Sequence, residues 1–205
     1  QLGVGFMGHQ SAHAFLPSSG WGFQWVGEPD RGFDSRQPGG WGYNLLPYVE
    51  QTKLHTMGAG LADSPKAAEV LKRVQIALPL FQCPSRRAPQ AYRNSWTYHA
   101  CGRPEAVGRT DYAVSMGDGV SPEHYRTGSS PGSLAAGDAL SESQWHDSYG
   151  TRCNGLSYRR SMVRAEDITD GASMTLMLGE RYLNPDVMLT GGDASDDQCL
   201  YSGHD

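Results

Sequence analysis

Glycine at 26 positions and proline at 12 interrupt this 205-residue chain so often that long regular elements have little room to form. A glycine inside a helix costs about 1 kcal/mol relative to alanine, and a proline about 3 kcal/mol. Helices and strands are therefore expected to be few and short, with much irregular backbone between them. What holds such a backbone is large rigid side chains: five tryptophans and ten tyrosines stand in a chain that is only 38% hydrophobic. The length suffices to bury roughly 70% of the unfolded surface, and the ordered pieces on either side of the Gly/Ser-rich middle more readily share one core than form two.

Seventeen basic against 22 acidic residues give a formal charge of -5, with no long Lys/Arg block. Binding to nucleic acid requires concentrated positive charge facing phosphate, so no nucleic-acid partner is expected. The basic set is weighted toward arginine, which suits planar ion pairs and stacking on aromatic rings.

Cys83, Cys101, Cys153 and Cys199 lack zinc-type spacing, and their even number allows two disulfides in an oxidising compartment. Three pairings are open. The sequential one, Cys83–Cys101 with Cys153–Cys199, is the preferred expectation, and buried free thiols are the alternative.

Along the chain, Leu2, Phe6, His9 and His13 fall near helical spacing and a Pro/Ser/Gly stop follows, which predicts a helix end. Trp41 to Val49 lead into a short helix predicted near Glu50 to Met57. Ser64 and Pro65 suit an N-cap and first helical position for an amphipathic helix carrying Val70, Leu71 and Val74, redirected at Pro79. Leu80, Phe81 and Cys83 are expected to face inward. Strand signals follow at Trp96 and Tyr98, in "RTDYAVSMGDG", and from Met174 to Leu178, while Ser121 to Ser143 reads as a long loop or insertion. The predicted class is α+β, with the end of an N-terminal helix packed on an antiparallel or mixed sheet and long Gly/Pro/aromatic-rich loops.

Five segments, "QLGVGFMGHQSAHAFLP", "WGYNLLPYVEQTKLH", "LPLFQCPS", "TDYAVSMGDG" and "DITDGASMTLMLGERYL", follow one another in the order seen in the DUF1559 family. The chain resembles these prepilin-like proteins, which are especially abundant in Planctomycetes, over most of its length. The resemblance implies a structural subunit of a type IV pilus or pseudopilus-like filament, extracellular or in the cell envelope, built from copies of itself. It further implies that residues 1–16 are the distal part of a longer, truncated helix, the route of any membrane contact. Residues 17–205 would then form one pilin-like globular domain, ending before the family's H-x9-DG segment. Met174 departs from the asparagine usual after Ala172-Ser173, which removes a side-chain hydrogen bond at that turn.

Asp193, Asp196, Asp197 and Asp205 lie in "GGDASDDQCLYSGHD", an oxygen-rich loop able to wrap calcium, although not in the EF-hand pattern. Some pseudopilins carry calcium in a C-terminal loop, and the resemblance adds that expectation. A solvated acidic loop or hydrogen-bonded turn is the plainer reading. No enzyme is expected. Asp167, Asp170 and Glu180 read as turn and ion-pair residues, with Asp170-Gly171 in a tight turn and Glu180 on an arginine. His9 and His13 lack the glutamate of HExxH, and no GxSxG, GxGxxG or GxxxxGK[ST] segment is present. The rival to a filament subunit is a surface module that binds glycan or protein through exposed Trp21, Trp25, Trp41 or Tyr48. Deep burial of those rings would count against it.

Overall fold

The computed structural model describes residues 1–117, 130–149 and 153–203, with only the backbone of 146–149. Helix α1 (Leu2–His13) buries Leu2, Gly5, Phe6 and His9 on one face. It ends where Ala14 turns left-handed (φ 66°) and returns its N–H to the Gln10 carbonyl. The glycines that weaken α1 as a helix also let it sit close. A Cβ on Gly5 would lie 3.1 Å from Val49 Cγ1, and one on Gly8 3.1 Å from Tyr48 Cδ1. The helix thus packs closely on the 3-10 turn Leu46–Val49, where a methyl at either glycine would press on Val49 or Tyr48.

That turn lies between α2 (Trp41–Asn44) and α3 (Thr52–His55), with Glu50 left-handed at φ 64°. Helix α4 (Asp63–Val74) begins two residues earlier than the Ser64 cap suggests, with Ala62 as N-cap and Pro65 inside its first turn. It buries Val70, Arg73 and Val74, and the 3-10 turn Pro79–Phe81 follows it.

The sheet is smaller than expected: two separate antiparallel ribbons. Strand β1 (Tyr92–Arg93) pairs with β2 (Ala106–Val107), and β3 (Tyr112–Val114) pairs with β4 (Leu178–Glu180), placing Ala113 opposite Gly179. The alternation at Trp96 and Tyr98 does not make a strand. Tyr98 forms only an isolated bridge to Gly102, because the chain turns back at once. The strand expected at Met174–Leu178 starts only at Leu178. The turn around Gly171 (φ 90°) still holds Met174, whose N–H reaches the Gly171 carbonyl at 2.9 Å. Met174 and Leu176 are consequently 83% and 70% exposed, whereas Met177 packs on the core.

Residues 118–129 lie outside the described residues. The described remainder of the expected loop, 130–143, contains α5 (Leu134–Asp138), capped by Ser133 Oγ accepting from the Ala136 N–H, and the start of α6 (Glu142–Tyr149). Trp145 of α6 completes a buried trio with Trp21 and Trp25, and that burial outweighs the weak helical signal of the segment. The main core runs from Leu2 through Tyr43, Val74, Phe81 and Val107 to Tyr201, so α1 and the last described turn belong to one apolar cluster.

Candidate functional site

The seat of α1 is built from planar side chains. His13 stacks on Phe33 (centroids 4.2 Å apart), Phe33 on His55 (4.9 Å) and His55 on Tyr43 (4.5 Å), and the Arg73 guanidinium lies 4.6 Å from the Tyr43 centroid. This column joins the last turn of α1 to α4 through the loop that carries Phe33. His9, fully buried beside it, hydrogen-bonds through Nδ1 to the Phe15 carbonyl at 3.0 Å, and Tyr48 Oη meets His13 Nε2 at 2.6 Å. The Nε2 atoms of His9 and His55 are buried without a hydrogen-bond partner. Burial pushes both rings down to about 4. His55 was not singled out from sequence; its signal was a histidine at the end of a short helix, which says nothing about stacking.

The face of α1 turned away from this seat is uncharged, with Val4 and Met7 exposed beside Ser11 and Ala12. Val4 is 75% exposed and Met7 55%, and α1 contains no Asp, Glu, Lys or Arg at all.

The acidic loop divides by role. Asp196 is buried and receives three arginines: Arg87 Nη1 at 2.5 Å on Oδ2 and Nη2 at 3.0 Å on Oδ1, Arg109 Nη1 at 3.4 Å on Oδ2, and Arg181 Nη2 on Oδ1. Arg87 also holds buried Asp111 through Nε at 2.7 Å, and Asp111 Oδ2 accepts the Cys83 N–H at 2.7 Å. Burial alone would lower the Arg87 guanidinium, but the carboxylates of Asp196 and Asp111 more than offset it and hold its pKa above the ordinary value. Asp193 instead caps the 3-10 turn Ala194–Asp196 through the Ser195 N–H at 2.9 Å, and Asp197 Oδ1 takes the Gln198 amide at 2.7 Å. Asp205 falls outside the described residues. Among the described residues, no three His, Cys, Asp or Glu side chains are grouped to hold a metal ion.

Glu180 pairs with Arg86 (2.8 Å), not with its neighbour Arg181, and Asp167 accepts the Arg164 N–H at 2.8 Å. Gly171 supplies the left-handed turn after Asp170. The arginine clamp itself went unread: Arg86, Arg87 and Arg109 stand far from Glu180 and Asp196 in the chain, and the arginine-weighted composition was its only trace.

The rings proposed as a binding platform are not a surface row. Trp21 and Trp25 are buried and meet edge to face at 75°, and Trp41 lies between Phe6 and Phe81. A cleft of about 570 Å³ is lined by charges that neutralise one another, with Lys66 on Glu28 and Asp30, Arg31 on Asp138, and Arg36 on Asp34.

All four cysteines are free thiols, so neither Cys83–Cys101 nor Cys153–Cys199 is formed. Cys199 is packed in the main core with Sγ 3.8 Å from the Val74 carbonyl, and Cys83 Sγ lies 3.1 Å from Ser85 Oγ. Burial pushes the Cys101 thiol up to about 11 and Cys199 up to about 12, as for small apolar core residues.

A family model, SBP_bac_10, described as a protein of unknown function (DUF1559), matches residues 1–201. The chain belongs to the DUF1559 family. Neither the curated proteins nor the solved structures contain a match to it. For this DUF1559 chain, then, the docked α1 and the arginine clamp rest on geometry alone. Among its described residues no helix is long and apolar enough to cross a membrane.

Proposed function

We propose that this DUF1559 protein is a structural subunit of an extracellular or cell-envelope filament of pilus or pseudopilus type, assembled from copies of itself through α1. One observation carries the reading: α1 is uncharged, docks one face on the aromatic body and leaves Val4 and Met7 of the other face in solvent. An uncharged surface helix that leaves large apolar side chains in solvent is suited to a second partner. In this reading a helix continuing α1 toward its N-terminus supplies the filament core. The globular body supplies lateral contacts and the outer surface, and no catalytic step is assigned.

The calcium reading of the loop would have to draw on Asp193, Asp197 and Asp205, since both Asp196 oxygens already accept from arginines. The glycan- or protein-binding reading needs exposed coplanar rings, and the packing of Trp21, Trp25 and Trp41 favours assembly over it.

Charge on the free face tests the proposal. The double variant Val4→Asp, Met7→Asp should melt close to the parent, because both side chains are already largely in water. A carboxylate carried into an apolar contact should reduce the assembled fraction by about tenfold or more, each tenfold being about 1.4 kcal/mol. Imaging and sedimentation of the intact protein read the outcome, and fibres as abundant as the parent's would count against α1 as the assembly element.

A further inference from the structure

We propose that the seat of α1 is an acid-sensitive latch, in which protonation of His9 and His55 releases the helix from the aromatic body while the rest of the core stays folded. The inference rests on the docked geometry and stands whether or not the protein forms filaments.

His9 is enclosed by His13 and Phe15 from its own segment, Phe33 from the following loop and Tyr48 from the Leu46–Val49 turn, with ring centroids 4.6 to 5.6 Å away. Its Nδ1 is committed to the Phe15 carbonyl, so an added proton must go on Nε2, which has no acceptor. His55 is stacked between Phe33 and Tyr43, and its Nε2 also lacks one. The groups that act on these rings through charge are the other histidines and, for His55, Arg73 of α4, all of which oppose a further positive charge. Among the described residues, no carboxylate acts on either ring through charge. Glu28 and Asp30 act on Tyr43 beyond His55 and are themselves held by Lys66.

His13 adds a trigger. It is only half-buried, so it is the most accessible of the three to protons even though burial holds its pKa below the ordinary histidine value. Its charge would then face His9 directly. The direction of the linkage follows: the released state binds protons below the ordinary histidine value, so docking loses stability as the pH falls from about 6.5 toward 4. With a ring value near 4 when docked and 6.5 when released, His9, which leaves its enclosure with α1, favours release by about tenfold or more at pH 5, and charge on His55 adds to this through the Phe33 ring on which His13 stacks.

Amide hydrogen exchange on the intact protein between pH 7 and pH 5, corrected for intrinsic rates, tests the latch. Residues 2–13 should exchange at least about tenfold faster at pH 5 while residues 70–74 and 106–114 stay protected. His55→Phe keeps a flat ring in the column, and with His9→Gln should leave residues 2–13 protected at pH 5. Protection of residues 2–13 unchanged in the parent, opening together with the whole core, or a folded variant that opens at the parent's pH would each overturn the proposal. If the variant does not fold at pH 7, the parent's segment-by-segment profile decides alone.

Discussion

Replacing Asp196 by alanine should lower the melting temperature by roughly 6–20 °C, or prevent folding. Breaking a buried ion pair from one side costs roughly 3–5 kcal/mol, because the partner charge stays buried. For a chain of this length, each kcal/mol corresponds to roughly 2–4 °C. Here three arginines lose a partner. Arg87 has a fully buried side chain, retains Asp111 and stacks against Tyr92 with its guanidinium carbon 4.9 Å from the ring centroid. Arg109 is also fully buried, and burial already lowers its pKa despite Asp196. It would keep only backbone acceptors, among them the Arg93 carbonyl at 2.6 Å. Arg181 would lose the contact that ties the end of β4 to the acidic loop. Asp193→Ala, in the same loop but with its carboxylate bonded only to exposed Ser195, should melt near the parent. Equal, small effects of the two substitutions in thermal denaturation would show that Asp196 is not the hub of the clamp.

Gly27→Ala should be comparably severe, for a steric reason. A Cβ at position 27 would lie 2.2 Å from Tyr43 Cγ and within 2.4 Å of two further ring atoms. The ring has no room to retreat. Its hydroxyl donates to the His55 carbonyl at 2.7 Å, His55 stacks on it, Arg73 lies over it, and a Cβ on Gly39 would itself fall 2.4 Å from Gly27 Cα. Overpacking costs about 1–3 kcal/mol where side chains can adjust, and this site should reach or exceed the top of that range because backbone must move. Gly132→Ala is the matched control, with nothing within 4 Å of the added methyl. Calorimetry should find the control near the parent and Gly27→Ala many degrees below it. A Gly27→Ala protein that melts with its control would mean that Tyr43 is far less tightly held than its partners indicate.

These two sites show how far the chain could be read before its structure was known. Helical spacing at Leu2, Phe6 and His9, and at Val70 and Val74, reports on neighbours three or four residues away, so α1 and α4 were legible to within a residue or two. Turn chemistry was legible as well: Gly171 is left-handed after Asp170, as a tight turn requires. The Asp196 clamp was not, since its arginines come from positions 15 to 109 residues away. Nothing in the acidic loop distinguishes Asp196, which faces inward, from Asp193 and Asp197 on either side. The strand expected from Met174 failed because apolar alternation records a preference for burial, while the Gly171 turn delays the ladder until Met177. Helix α6 was missed for the opposite reason. Its one strong anchor, Trp145, finds its partners Trp21 and Trp25 more than a hundred residues earlier. The cysteine count suggested cross-links, yet Cys199 lies in the core as a packed thiol.

The filament account turns on what touches the free face of α1. A photo-crosslinking phenylalanine analogue in place of Met7, in the intact protein under native assembly conditions, measures that contact by mass spectrometry of the linked peptides. The account predicts links from position 7 to residues 4–11 of a second copy, appearing with assembly. Links confined to the same chain, or to no copy of it, would contradict it.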